Sequence, residues 1–170
     1  AATQHAALGY DPARTIVIPN GFDTERFAPA PQHRAPFRAE LGLAPETPLI
    51  GLVGRYHPMK DHATFLRALA RVRSSRPEVH AVMAGTDVTP GNPELRALIA
   101  SLGIDDIVHA IGEVSDTARL TAALDLLCLS SSSEGFPNVV GEGMSCGVPC
   151  VVTDVGDAGW IVGDTGVVVP

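Results

Sequence analysis

The sequence is short of cations. Twelve Lys and Arg face nineteen Asp and Glu among 170 residues, a net charge of -7. That balance argues against a broad nucleic-acid-binding face, which needs a stripe of positive charge. It leaves room for a small anionic ligand, because a few local cations and a helix N-terminus suffice to hold one. Cysteine is also scarce. Cys128, Cys146 and Cys150 are odd in number and sit in apolar stretches. They read as small buried thiols in a reducing compartment. A Cys146–Cys150 metal clip lacks further ligands at a finger-like spacing. No apolar run reaches bilayer length and no signal peptide is visible. The expected location is cytoplasmic, with the full-length protein at most peripheral at the inner face of the membrane.

What is present suits one well-buried domain and is too little for two. Apolar residues make up 45%, with 17 Gly and 14 Pro, a globular balance with many turns. The chain starts on Ala1 and stops on Pro170, straight after the apolar run 166–169. Both ends read as cut, so a fragment of a longer protein is expected. Residues 1–36 hold an apolar run at 15–19, an Asn20-Gly21 turn and Pro29, Pro31 and Pro36. They read as a lead-in or interdomain linker, with the domain proper at 37–170.

From Pro48 onward strands and helices alternate. Apolar runs predict strands at 49–53, 80–84, 107–111, 126–129, 150–153 and 167–169. Between them, 61–74 has helical spacing with Phe65, Leu69 and Val72 on one face. Asn92-Pro93-Glu94 is a helix start, with Asn as N-cap and Pro at the first position. Leu95, Leu98, Ile99 and Leu102 form its stripe and Gly103 its stop. Ser115 is the expected cap of a third helix carrying Leu120 and Leu124, and 138–146 forms a fourth. The expected fold is α/β, a doubly wound, mainly parallel six-stranded sheet with helices on both faces. Ligands then bind beyond the carboxyl ends of the strands, at loops 54–60, 85–92, 112–115, 130–138 and 154–159.

Two of these loops carry candidate chemistry. After the fourth strand comes Ser130-Ser131-Ser132-Ser133-Glu134-Gly135-Phe136-Pro137-Asn138, running into the helix that holds Glu142. Both acids can face one cleft beside free backbone N–H groups, which favour a diphosphate. A carboxylate can also accept two hydrogen bonds from a vicinal diol of a ribose or hexose. On spacing alone the pair reads equally well as a capping residue and an acid favoured by the helix dipole. After the first strand, Arg55 and Lys60 flank a turn. They can neutralise a diphosphate leaving group, or be ordinary surface charges.

Taken together, Gly54-Arg55…Lys60 and Glu134-Gly-Phe-Pro-Asn-Val-Val-Gly-Glu142 resemble the donor-binding signature of the group 1 (family 4) GT-B glycosyltransferases. Ile18-Pro19-Asn20-Gly21-Phe22-Asp23, Gly85, Gly112, Gly147-Val148-Pro149 and Asp154-Val155-Gly156 extend the likeness over about residues 15–170. The resemblance implies a Rossmann-like GT-B C-terminal domain that transfers a hexose, with retention, from a nucleotide-diphosphate sugar to a hydroxyl. In that reading Arg55 and Lys60 hold the pyrophosphate. Glu134 is the residue at the reacting centre, holding donor-sugar hydroxyls. Backbone N–H groups of the stretch Gly135, Phe136, Pro137, Asn138 and Val139 contact sugar and phosphate. Glu142 binds the ribose, and Val114 lies against the base. The donor is UDP-, GDP- or ADP-linked. Family members need no metal or other cofactor, and no D-x-D motif is present here. The implied partner is an N-terminal acceptor domain of the same polypeptide, which carries a catalytic histidine. The long 85–92 loop with Asn92-Pro93-Glu94-Leu95 looks like that of bacterial enzymes of cell-surface polysaccharide or lipopolysaccharide assembly.

Some residues depart from the family pattern. Glu142-Gly143-Met144-Ser145 stands where relatives commonly have Glu-Ala-Met-Ala. Gly156-Asp157-Ala158-Gly159-Trp160 stands where many have a Pro-Glu pair, which puts that loop's ligand contact in question. His57 reads as a turn residue, and His62, His80 and His109 as helix-edge or strand-end residues. The serine run has no triad partners. Asp87 could stand in for the ribose acid of an NAD-binding fold, but Gly51 and Gly54 lack a third glycine. A glycosidase would leave Arg55, Lys60 and the helix N-terminus without a purpose. The alternative to a transferase is a stand-alone nucleotide- or sugar-binding module without turnover.

Overall fold

The computed structural model describes residues 2–170. Six strands form one sheet: β1 (Leu49–Val53), β2 (His80–Ala84), β3 (Val108–Ala110), β4 (Leu126–Leu129), β5 (Cys150–Thr153) and β6 (Val167–Val169). Their order is β3-β2-β1-β4-β5-β6 and every pairing is parallel. Five of them keep the bounds of the apolar runs; the third contracts from 107–111 to three residues.

The described residues form seven α-helices, α1 (Ala2–Ala7), α2 (Arg34–Glu40), α3 (His62–Arg73), α4 (Pro93–Leu102), α5 (Thr117–Ala122), α6 (Asn138–Ser145) and α7 (Ala158–Val162), of which α2 to α7 pack against the sheet. The strand period of two divides the core. On β2, Ala81 and Met83 pack with Phe65, Leu69, Leu95 and Ile99 of α3 and α4. Val82 and Ala84 belong to the opposite cluster, with Phe37, Leu120, Val140 and Val162 of α2, α5, α6 and α7. Helices therefore lie on both faces, as continuous apolar strands require.

Local signals held where they were self-contained. Asn92 Oδ1 accepts from the N–H groups of Glu94 and Leu95, and Gly103 ends α4 at φ 64°. Two expectations are corrected. Asp116, not Ser115, caps α5; its carboxylate accepts from Arg119 N–H at 3.0 Å. Val72 is not core but 37% exposed. Leu66, fully buried, takes its place in the α3 stripe, and Arg73 in the last turn bonds Gly103 O and Asp106.

Helices α2 and α7 were not legible as helices, being only seven and five residues long. In the lead-in, Phe27 joins the core beside Phe37, while Ile16, Val17 and Ile18 lie exposed. Arg38 of α2 is buried at 1% exposure and ties the start of β1 to the start of β4. It donates to Thr47 O, Ala123 O and Asp125 Oδ2 at 2.8, 2.8 and 2.6 Å. Asp125 Oδ2 also accepts from Leu49 N–H at 2.7 Å. Among the described residues no helix is long and apolar enough to cross a membrane.

Candidate functional site

The strand order reverses between β1 and β4. The carboxyl ends of strands at such a reversal are the usual ligand position in sheets of this kind. The loop after β1 carries Arg55 and Lys60; the loop after β4 carries Glu134. The two loops are bound together. Ser130 Oγ lies 3.0 and 2.9 Å from the carbonyls of Lys60 and Asp61, and Ser132 N–H donates to Met59 O at 2.8 Å. Asp61 adopts φ 42° between them, where its carboxylate caps α3 through Thr64.

This junction brings Lys60 and Glu134 into contact. Lys60 Nζ donates to Glu134 Oε1 at 2.6 Å, and Ser131 Oγ donates to the same oxygen at 2.7 Å. Glu134 is 11% exposed and Lys60 25%. The Glu134 backbone is held from behind by the loop after β5. Asp157 N–H donates to Gly135 O at 3.0 Å. Gly156, at φ 56°, lies so close to the Glu134 carbonyl that a Cβ there would collide with it; only glycine suits that approach. The departure from a Pro-Glu pair in this loop thus coincides with a loop that braces Glu134.

Helix α6 begins at Asn138 with Pro137 as N-cap and no side-chain cap. Its first N–H groups remain open to an anion. The side chain of Asn138 is engaged elsewhere, accepting from Asn20 Nδ2 at 2.9 Å. Phe136 lies between Phe22 and Trp160, with ring centroids 5.9 and 6.2 Å away. Glu142 is half-buried within α6. Burial pushes its carboxyl above the ordinary value, and the guanidinium of Arg26 partly offsets this. Gly143, the other departure, faces the sheet: a Cβ there would stand 2.7 Å from Leu127 Cδ2. The glycine lets α6 lie close against β4.

Arg55 is exposed and is not part of the Lys60–Glu134 contact. With Val114 it lines an open hollow of about 540 Å³ beyond the ends of β1, β2 and β3, together with Thr86 and Glu113. Another hollow of about 530 Å³ holds Tyr56, Asp87, Thr89, Asn92 and Glu94. Its two acids and lack of a cation suit a diphosphate poorly, and Asp87 is placed there.

The histidines follow expectation in part. His57 is a turn residue, its Nδ1 accepting from Met59 N–H at 3.2 Å. His62 is buried rather than at a helix edge, 5.1 Å from the Tyr56 ring; burial lowers its pKa, and the Gly54 backbone partly offsets this. His80 and His109 pair across adjacent strands at 3.1 Å. Sequence reasoning missed Ser130, Ser131, Thr153 and Arg26. A run of small hydroxyls directly after a parallel strand was the available signal for the serines; nothing local marked Thr153 or Arg26.

Known proteins share this sequence pattern and fold. Residues 47–170 match the family described as group 1 glycosyl transferases. A D-inositol 3-phosphate glycosyltransferase of Mycobacterium marinum is 38% identical over 151 residues, covering 86% of this chain and 31% of that protein. The lipopolysaccharide core biosynthesis mannosyltransferase LpsB of Rhizobium meliloti is 32% identical, covering 91% of this chain and 45% of its own. The structure of Anabaena Alr3699/HepE in complex with UDP and glucose superposes with a TM-score of 0.86 at 31% identity, covering 98% of this chain and 46% of that one. This chain therefore spans about a third to a half of the proteins it matches. With its six-stranded parallel sheet and the acid-and-cation pair at the strand reversal, the chain belongs to the group 1 glycosyltransferases, as a GT-B C-terminal domain.

Proposed function

We propose that this chain binds a nucleotide-diphosphate sugar at the sheet edge where the loops after β1 and β4 meet. The whole protein then transfers the hexose to a hydroxyl acceptor with retention, in cell-surface polysaccharide or lipopolysaccharide assembly. The observation that carries the reading is the Lys60–Glu134 pair beside the uncapped start of α6. It sets a cation, an acceptor for sugar hydroxyls and open N–H groups at one sheet edge. The similarity to a protein solved with UDP and glucose supports a nucleotide-sugar donor.

In this reading the roles divide. Lys60 keeps N–H donors to spare for the pyrophosphate, and Arg55 adds a second cation from its exposed position. Open N–H groups near Asn138 and Val139 meet phosphate and sugar. As the bond from C1 to the phosphate oxygen breaks, the acceptor oxygen bonds to C1 and its proton passes to the departing phosphate oxygen; the charge that builds on the leaving diphosphate is stabilised by these groups. Glu134 holds a sugar hydroxyl and places C1. Glu142 accepts from the ribose diol. Val114 meets the base in the hollow it shares with Arg55. No metal or other cofactor takes part. The acceptor is held by an N-terminal domain of the full-length protein, so this chain alone binds donor without transferring it: half a cleft neither excludes water nor orients the acceptor.

Calorimetric titration with UDP, GDP and ADP tests the proposal. Wild type is expected to bind at least one of them, and Glu142→Ala to weaken that binding by about ten- to a hundredfold, the worth of hydrogen bonds to a charged group. Absence of binding by all three nucleotides would count against the proposal. Measurable transfer to any acceptor by the 170-residue chain would overturn the division of labour.

A further inference from the structure

The serine run is unexplained by donor contacts, yet it contains the most enclosed hydroxyl at the site. Ser131 is 1% exposed. Its Oγ donates to Glu134 Oε1, the oxygen that also receives Lys60 Nζ. Its own carbonyl accepts from Thr153 Oγ1 at 2.6 Å. Ser131 is therefore pinned by β5 on one side and grips Glu134 on the other. Both internal donors converge on Oε1, and among the described residues no hydrogen bond reaches Oε2.

We propose that Ser131 is a positioning residue for the donor sugar: by fixing Oε1 together with Lys60, it leaves Glu134 a single oxygen, Oε2, with which to meet the sugar. This rests on the proposed role of Glu134 as the sugar-holding acid. Its consequence is specific. A carboxylate free to turn can accept from two adjacent hydroxyls through its two oxygens. A carboxylate gripped at Oε1 presents one oxygen at a set height above the phosphate site, and so selects a hydroxyl at one position of the ring. Without Ser131, Glu134 keeps Lys60 as its partner but can swing about that contact. The nucleotide half of the site, at Glu142, Val114 and Arg55, makes no hydrogen bond to Ser131 and is left intact.

The test separates sugar from nucleotide. Wild type, Ser131→Ala and Ser131→Thr are titrated by calorimetry with three pairs: UDP and UDP-glucose, GDP and GDP-mannose, ADP and ADP-glucose. The quantity read is the ratio of dissociation constants within the pair that wild type binds, which is the share of affinity the sugar adds. Ser131→Ala is expected to leave the bare nucleotide within about twofold and to cut the sugar's share about fivefold, the effect of losing one buried hydrogen bond. Ser131→Thr, which keeps the hydroxyl, is expected to restore it. An equal loss for nucleotide and nucleotide-sugar would mark Ser131 as merely structural and overturn the proposal. So would an unchanged ratio, or a wild type for which the sugar adds no affinity. Wild type binding none of the six ligands would remove the donor-binding reading itself, an outcome distinct from a failure confined to Ser131.

Discussion

Replacing Arg38 by Met should cost about 3 kcal/mol of stability, and the structure supplies the terms. The guanidinium is fully enclosed and donates to two carbonyls outside its own helix, Thr47 O and Ala123 O, and to Asp125, besides a longer bond of 3.2 Å to Arg34 O one turn back. Loss of the charge-assisted bond to Asp125 removes roughly 1.5–3 kcal/mol, and each abandoned carbonyl about 1 more. Against this, Met fills much of the volume and relieves the desolvation of a buried cation, an offset of about 1 kcal/mol or more. Asp125 keeps Arg34 and the Leu49 N–H, so it is not stranded. Urea unfolding followed by far-UV circular dichroism is the assay, with a lower midpoint expected at unchanged slope. A double-mutant cycle with Asp125→Asn should give a coupling of at least about 1 kcal/mol. A cost for Arg38→Met below about 1 kcal/mol, or additive single and double variants, would refute the claim that this network joins the starts of β1 and β4. Acid provides a further arm. Burial pushes the Asp125 carboxyl up, but the Leu49 N–H, Arg34 and Arg38 together outweigh it and hold the value low. The stabilisation is therefore complete above the unfolded carboxylate value near about 3.9 and is lost as pH falls through the lowered folded value.

Three further outcomes are expected. Burial raises the Glu142 carboxyl and Arg26 restrains the rise; nucleotide affinity, which needs the ionised acceptor, should start to fall at a higher pH than for an ordinary carboxylate, and Arg26→Ala should move that limb higher still. A limb that stays in place when titrations are repeated across pH would contradict this. Burial lowers His80 and His109, and the neighbouring His80 ring lowers His109 further. Their folded values lie below the unfolded one, so stability should be full above about pH 6.5 and decline below it as the unfolded chain takes up protons first; His109→Phe should flatten that decline in melts run at stepped pH. Burial pushes the thiols of Cys146 and Cys150 up to about 11 and that of Cys128 to about 12. All three should resist a chromogenic thiol reagent at neutral pH and react once urea unfolds the chain; fast reaction of the native protein would show that these thiols are not enclosed.

Much of the architecture was legible because its determinants are local. A run such as Leu126–Leu129 is strand-length and apolar whatever surrounds it, and Asn92-Pro93 begins a helix through its own side chain and ring. The motif that carries the family likeness was legible for a related reason: Glu134 and Glu142 are carried by one loop and the helix that follows, so their spacing is visible in the chain. Tertiary structure decided the remainder. Lys60 and Glu134 are 74 residues apart in sequence, and only the parallel pairing of β1 with β4 sets them 2.6 Å from each other. Val72 obeyed the helical period, yet in the packed structure it lies exposed while Leu66 is buried. The serines after β4 looked featureless because a hydroxyl acquires a role only from its partners. For Ser130 those partners are carbonyls on the β1 loop; for Ser131 they are Glu134 and a threonine of β5. Sequence by itself settled which residue types were available at the sheet's carboxyl edge. The pairing of strands distant along the chain decided which of them touch, because a hydrogen bond depends on position in space and not on separation in sequence.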